Sequence, residues 1–220
     1  MTRVLAIPAA VIFIGFLASL ASCSRGTAIP VSGPQQYSGT LGSPLGELSS
    51  GLAYDTHIRV GKKAMSGIMY LRQMEKGIWR VAMTAKIGQT LFDFEIRPDT
   101  FIVLRSVDQI NRRIVMKYLE RDLRLLTEVY RDAVHVERLP NEPGMMHLRV
   151  KVPDRKGWRH LISHIQGNQV VEIAHGGKGR KKTTVRFSQY RDNIPYDIMI
   201  DHRTIISFEI QMHLVPTLQE

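Results

Sequence analysis

Toward the C-terminus, Ile206, Phe208, Ile210, Met212 and Leu214 alternate without a break with Ser207, Glu209, Gln211 and His213. Such period-two alternation is what a strand needs when one face is buried and the other meets water. It recurs along the chain. Residues 66–74 and 78–86 form a pair around Glu75-Lys76-Gly77, with Trp79, Val81, Met83 and Ala85 on one face of the second. Residues 91–96 set Phe92, Phe94 and Ile96 against Asp93 and Glu95, and Arg97-Pro98-Asp99 turns the chain into 100–107. There, 101–104 is apolar on both faces, which predicts a strand covered on both sides.

After Asn141-Glu142-Pro143-Gly144 the alternation resumes. Met146, Leu148, Val150 and Val152 face one way, and the basic set His147, Arg149 and Lys151 faces the other. Residues 168–175 and 183–190 read as a hairpin around the Gly- and Lys-rich stretch 176–182. One segment follows a different period. Over 111–132, Ile114, Val115, Tyr118, Leu119, Leu126, Val129 and Tyr130 recur at helical spacing among arginines and lysines. Two readings of this stripe stay open. It is permanent core against one face of a curved sheet, or it is a movable lid whose Ile114, Tyr118, Leu119, Leu126 and Val129 line an apolar cavity. Eight to ten strands and one long helix make the fold mainly β with a helix (α+β). The expected architecture is a curved antiparallel sheet or unclosed half-barrel wrapped around the helix. Repeated strand-helix alternation is missing, which argues against a doubly wound parallel fold.

The N-terminus carries a separate message. Arg3 precedes an apolar run over 6–20, which ends in Leu20-Ala21-Ser22-Cys23, and Cys23 is the one cysteine of the 220 residues. This order of charge, apolar run, small residues and cysteine resembles the lipobox of bacterial lipoproteins. The resemblance implies that residues 1–22 are removed as a signal peptide. Cys23 then carries diacylglycerol and an N-acyl chain, and no other cofactor is expected. With Ser24 rather than an acidic residue after it, the anchor is expected in the outer membrane, with the domain facing the periplasm. An uncleaved membrane anchor is the alternative, but the run is broken by Pro8 and Gly15 and sits at the lower limit for a span. A plain thiol would have no second cysteine to pair with. Residues 23–52, rich in Gly, Ser and Pro, read as the lipidated cysteine and a flexible tether reaching about 30 Å, and 53–220 as a single domain.

Without Arg3, the chain holds 29 Lys and Arg against 20 Asp and Glu. A basic exterior suits nucleic acid or anionic lipid equally, at about 1 kcal/mol per well-placed cation on a membrane. An exported, anchored protein meets lipid, so membrane lipid is the expected partner and nucleic acid is not. Lys178, Arg180, Lys181 and Lys182 are the candidate contacts to an anionic surface.

Catalytic patterns fail when tested. Residues 176–184 lack the spacing of a Walker loop. His160 and His164, four apart, could share a helical face, but Leu161 stands where a metalloprotease needs glutamate. Neither Ser163 nor Ser188 sits in a nucleophile elbow. Asp192, Asp197 and Asp201 lack the glycine and terminal glutamate of a calcium loop. No metal site and no enzyme activity are expected.

A second resemblance spans most of 54–214. The ordered run Gly77-Ile78-Trp79-Arg80, the strand over 92–96, Arg97-Pro98-Asp99-Thr100 and then Asn111 leading into a Tyr118-containing helix resembles a family of bacterial lipoproteins. That family is similar to the LolA-like and LolB-like lipoprotein carrier and insertase proteins. It implies a half-barrel with a helical lid over a cavity for lipoprotein acyl chains. Residues 87–92 are the candidate for the insertase's protruding apolar loop. The function so implied is binding of acyl chains or lipoproteins, in lipoprotein localisation at the outer membrane. The alternative is a structural or accessory lipoprotein that docks a partner in an envelope complex. A hydrolase is the third reading, but the sequence offers no clustered acid, base and nucleophile for it.

Overall fold

A computed structural model describes residues 43–46, 50–128, 136–139, 145–151, 158–164, 169–177, 180–202 and 207–216. All of them belong to one compact unit, Val31–Glu220. Twelve strands form a single antiparallel sheet: β1 (Leu52–Val60), β2 (Lys63–Glu75), β3 (Ile78–Ala85), β4 (Thr90–Ile96), β5 (Phe101–Ser106), β6 (Val136–Leu139), β7 (Met145–Lys151), β8 (Trp158–His164), β9 (Val170–Gly177), β10 (Arg180–Arg191), β11 (Ile194–His202) and β12 (Phe208–Leu214). The spatial order is β5-β4-β3-β2-β1-β12-β11-β10-β9-β8-β7-β6. First and last strands are thus neighbours, with Tyr54 opposite Leu214 and Val60 opposite Phe208. Consecutive β5 and β6 lie at the two far edges, and among the described residues no pairing joins them. The sheet is open.

The expected alternation is present. One face carries Tyr54, Ile58, Met69, Leu71, Val81, Phe92, Phe94 and Ile210, all at most 1% exposed. Phe92 and Phe94 stack with ring centroids 4.6 Å apart. β1, β6, β8 and β11 go beyond the strands read from sequence. Three of them have a physical reason to be missed: their inward positions include Thr56, Arg159, Ser163 and His202, which are buried yet polar and so blur the pattern. Between β10 and β11, Asp192 and Asn193 both adopt positive φ, 49° and 61°, as a two-residue hairpin with type I′ twist demands.

Two expectations are corrected and one hairpin is sharpened. The strand over 101–104 is not covered on both sides. β5 is an edge strand, register slips between Asp93 and Phe94 where it joins β4, and Val103 and Leu104 are 43% and 49% exposed. The hairpin read over 168–190 is present with a tighter turn, because Gly177 pairs with Arg180 and Gly176 with Lys181. His160 and His164 lie on strand β8 rather than on a helix.

Gly67 marks the tightest approach within the sheet. A Cβ there would meet the Thr84 carbonyl oxygen at 2.2 Å and its carbon at 2.9 Å. These are backbone atoms of the paired strand, so relief requires β2 and β3 to separate. Gly67→Ala should therefore cost about 1–3 kcal/mol, as overpacking does. Chemical denaturation of the variant checks this, and a stability unchanged from the parent would refute the close approach.

The helix α1 (Arg113–Thr127) falls within the predicted 111–132. Its own chemistry favours it weakly. Arg112 caps the N-terminus with no side-chain hydrogen bond, and the first turn holds no acidic residue. Cations at the positive end of the helix dipole oppose it, and fifteen residues are marginal in isolation. Docking supplies what is missing, since Leu119, Leu123, Leu125 and Leu126 join the same apolar cluster as the sheet's inner face. The C-terminal end is held twice more. Ser43 Oγ donates to the Leu126 carbonyl at 2.8 Å, and Leu45, two residues on, is fully buried. These contacts come from within the 23–52 segment.

Candidate functional site

Sheet register builds the site. His202 on β11 lies opposite Phe208 on β12 and Thr183 on β10. Thr183 lies opposite His175 on β9, and His175 opposite Arg159 on β8. Four cross-strand neighbours, His202, Thr183, His175 and Arg159, thus form a polar row on a face that is otherwise mostly apolar. The last turns of α1 lie over it and answer in kind.

His202 Nε2 lies 2.6 Å from Asp122 Oδ2, and the Arg121 guanidinium lies 2.6 Å from His202 Nδ1. A guanidinium can only donate, so Nδ1 accepts and the ring proton sits on Nε2, where it is donated to the Asp122 carboxylate. Thr183 Oγ1 stands 3.4 Å from the same Nδ1. Tyr118 packs on the His202 ring at 4.9 Å, and the Arg121 guanidinium lies over Tyr118 at 5.1 Å. One strand pair along, Arg159 donates to both Glu128 oxygens, at 3.1 and 3.4 Å, and reaches His175 Nδ1 at 2.5 Å. At the sheet's other half, Arg124 donates to the Arg97 carbonyl at 2.6 Å. The helix is therefore fastened by charged groups at both halves, above an apolar floor.

The network is incomplete. Arg121 Nε and Asp122 Oδ1 are buried without hydrogen-bond partners, and they face each other at 3.9 Å. Burial pushes the Asp122 carboxyl above its ordinary range, against the opposing pull of His202 and Arg121. Burial likewise lowers Arg121, against the pull of Asp122. A partly satisfied buried network holds less firmly than a full one.

The sign of the pH dependence follows. A raised carboxyl value means the folded state holds this proton more tightly than the unfolded chain. Its favourable contribution is complete below the ordinary value of 3.8 and is lost as pH rises through the raised one. The stability of the parent minus that of Asp122→Asn should therefore fall as pH climbs above about 4 and level off once the carboxyl is ionised. Denaturation of both proteins across pH checks it. A difference that rises with pH would mean that the bond to His202 outweighs burial.

The predicted lining residues divide. Leu119 and Leu126 are buried at 1% and 0% exposure, Tyr118 is half-buried on the polar row, and Ile114 is 45% exposed at the start of α1. Val129, Lys178 and Cys23 lie outside the described residues. Lys182 is exposed, and Arg180 and Lys181 pair with Gly177 and Gly176. The loop candidate 87–92 is a tight hairpin between β3 and β4, with Ile87 88% exposed at its tip. The polar row was missed in the sequence. Its signal was the shared parity of His202 with Ile198 and Ile200, and of Arg159 with Leu161. Among the described residues no group of His, Cys, Asp or Glu is arranged to hold a metal ion.

No protein-family model matches the chain, and no curated protein matches it. Solved structures do. A LolA superfamily protein from Nitrosomonas europaea superposes with a TM-score of 0.51 at 11% identity, over 76% of this chain and 84% of that one. An outer membrane lipoprotein-sorting protein domain from Vibrio parahaemolyticus gives 0.50 at 12% identity, over 78% and 85%. An open antiparallel sheet with one helix laid across its apolar face is thus, in this chain, a LolA-like half-barrel.

Proposed function

We propose that this chain binds acyl chains of lipids or lipoproteins between α1 and the inner face of the sheet. The reading includes a place at the outer membrane, with anchoring through acylated Cys23, where the domain takes part in lipoprotein localisation. The observation that carries it is the way the helix is held. An apolar floor is covered by a weakly capped helix whose fastenings, Asp122 to His202, Glu128 to Arg159 and Arg124 to the Arg97 carbonyl, are polar and partly unsatisfied. Such contacts exchange for water as the helix lifts, while an apolar ligand replaces the leucines on the floor at about 25 cal/mol per Å² of buried surface. Binding rather than catalysis is the chemistry such a floor supports. The LolA-like fold of the two neighbours supports the same reading.

The test uses the acyl-free domain and a fluorescent fatty acid. Saturable uptake is expected, competed by unlabelled acyl chains and weakened by Ile114→Asp at the exposed start of the helix. A domain that stays folded and takes up no probe would overturn the proposal.

A further inference from the structure

We propose that one rim of the sheet is a docking surface for an anionic phospholipid bilayer. Because every neighbouring pair is antiparallel, the hairpin ends β1/β2, β3/β4 and β9/β10 emerge at the same rim. These ends carry Lys62 and Lys63, Lys86 beside Ile87, and Arg180, Lys181 and Lys182. Lys62, Lys63, Lys86 and Lys182 are exposed. Arg180 and Lys181 are placed at the rim by their pairing with the last two residues of β9. From β3 to β10 is five strand spacings, about 24 Å along the sheet. Among the described residues, the charged groups on the connections across that width are all basic.

Asp108 is exposed past the end of β5, outside the β3-to-β10 width, and the acids nearest the rim within that width are answered. Glu209 pairs with Arg59 at 3.5 Å, Asp201 with Arg186 at 2.7 Å, and Asp55 with Lys86 at 3.3 Å. At the opposite rim the described connections carry Glu75, Lys76, Arg97, Asp99, Arg191 and Asp192, three of each sign. The domain is thus polarised from rim to rim. A broad array of exposed lysines with an aliphatic tip, Ile87, 88% exposed at its β3/β4 end, matches a fluid anionic surface, which needs no fixed geometry. A folded acidic partner would call for fixed pairing.

This inference does not depend on acyl binding, and the two fail separately. Flotation of the acyl-free domain with phosphatidylglycerol-containing vesicles should show binding that weakens with salt. Pure phosphatidylcholine vesicles should bind little. Each lysine reversed should weaken binding roughly fivefold, so Lys62→Glu/Lys63→Glu/Lys182→Glu should lose about a hundredfold. The matched reversal Lys76→Glu/Arg191→Glu on the other rim should change it less than twofold. Circular dichroism melts of the same variants serve as the folding control and should match the parent. Equal binding to neutral and anionic vesicles, no binding to anionic vesicles at low salt, or equal losses from both rims would each overturn the proposal.

Discussion

His202→Ala should lower the stability of the folded domain by about 3 kcal/mol or more, the expected loss when a buried carboxylate loses its hydrogen-bond donor and a packed ring leaves a gap. Asp122 is fully buried beneath the helix, and His202 Nε2 supplies the hydrogen bond that offsets its burial. Alanine removes that donor and the acceptor for Arg121 in one step. It also strips the ring that packs between Tyr118 and Phe208. The accompanying control is Asp122→Leu/His202→Leu. Replacing both polar partners with apolar groups of similar size can be neutral or stabilising, so the double variant should recover part of the loss, with Arg121 left without either partner. Urea denaturation followed by tryptophan fluorescence reads both. A loss below about 1 kcal/mol for His202→Ala would place the pair among ordinary hydrogen bonds and remove the helix's main fastening.

The second large effect separates two residues of the same helical stripe. Leu126 is fully buried, with its carbonyl held by Ser43, so Leu126→Asp forces an unpaired charge into the apolar cluster. That change belongs with the exceptional losses of more than about 4 kcal/mol, and most of the population should unfold at ambient temperature. Ile114 is nearly half exposed. Its replacement by aspartate also places an acid near the positive end of the helix dipole, so stability should change by no more than about 0.5 kcal/mol while acyl uptake drops. Circular dichroism melts and probe binding, run side by side, decide the matter. If Leu126→Asp melted like the parent, the C-terminal half of the helix would not be core.

The contrast shows what could be read from residue order. Where inward positions were uniformly apolar, as in β3, β4 and β12, period two exposed strand, face and turn. β8 and β11 escaped because each inserts a polar residue on the buried face, Arg159 and His202, whose partners lie on a helix far away in sequence. Alternation reports a face, but it does not report which faces meet. The same limit explains β5: 101–104 had the composition of a doubly covered strand, yet its place at the sheet's edge is a fact of topology. Helical spacing found the stripe but could not grade it. Ile114 and Leu126 share the pattern and differ in exposure because the far end of α1 lies under Ser43 and Leu45 while the near end does not.

Pairing of the first strand with the last has a consequence for how the molecule comes into being. Residues 52–106 can form a five-stranded sheet and 136–202 a six-stranded one as soon as each is made, because each is a run of local hairpins. Within the sheet β12 joins them, through Ile210 opposite Ile58 on one side and Ile200 on the other. Synthesis proceeds from the N-terminus, so until 208–214 emerges the chain is two half-sheets, each with a bare edge along β1 or β11. Bare edges template mispairing, and joins between distant parts of a chain form slowly. The final seven-residue strand is thus the seam whose arrival covers both edges at once.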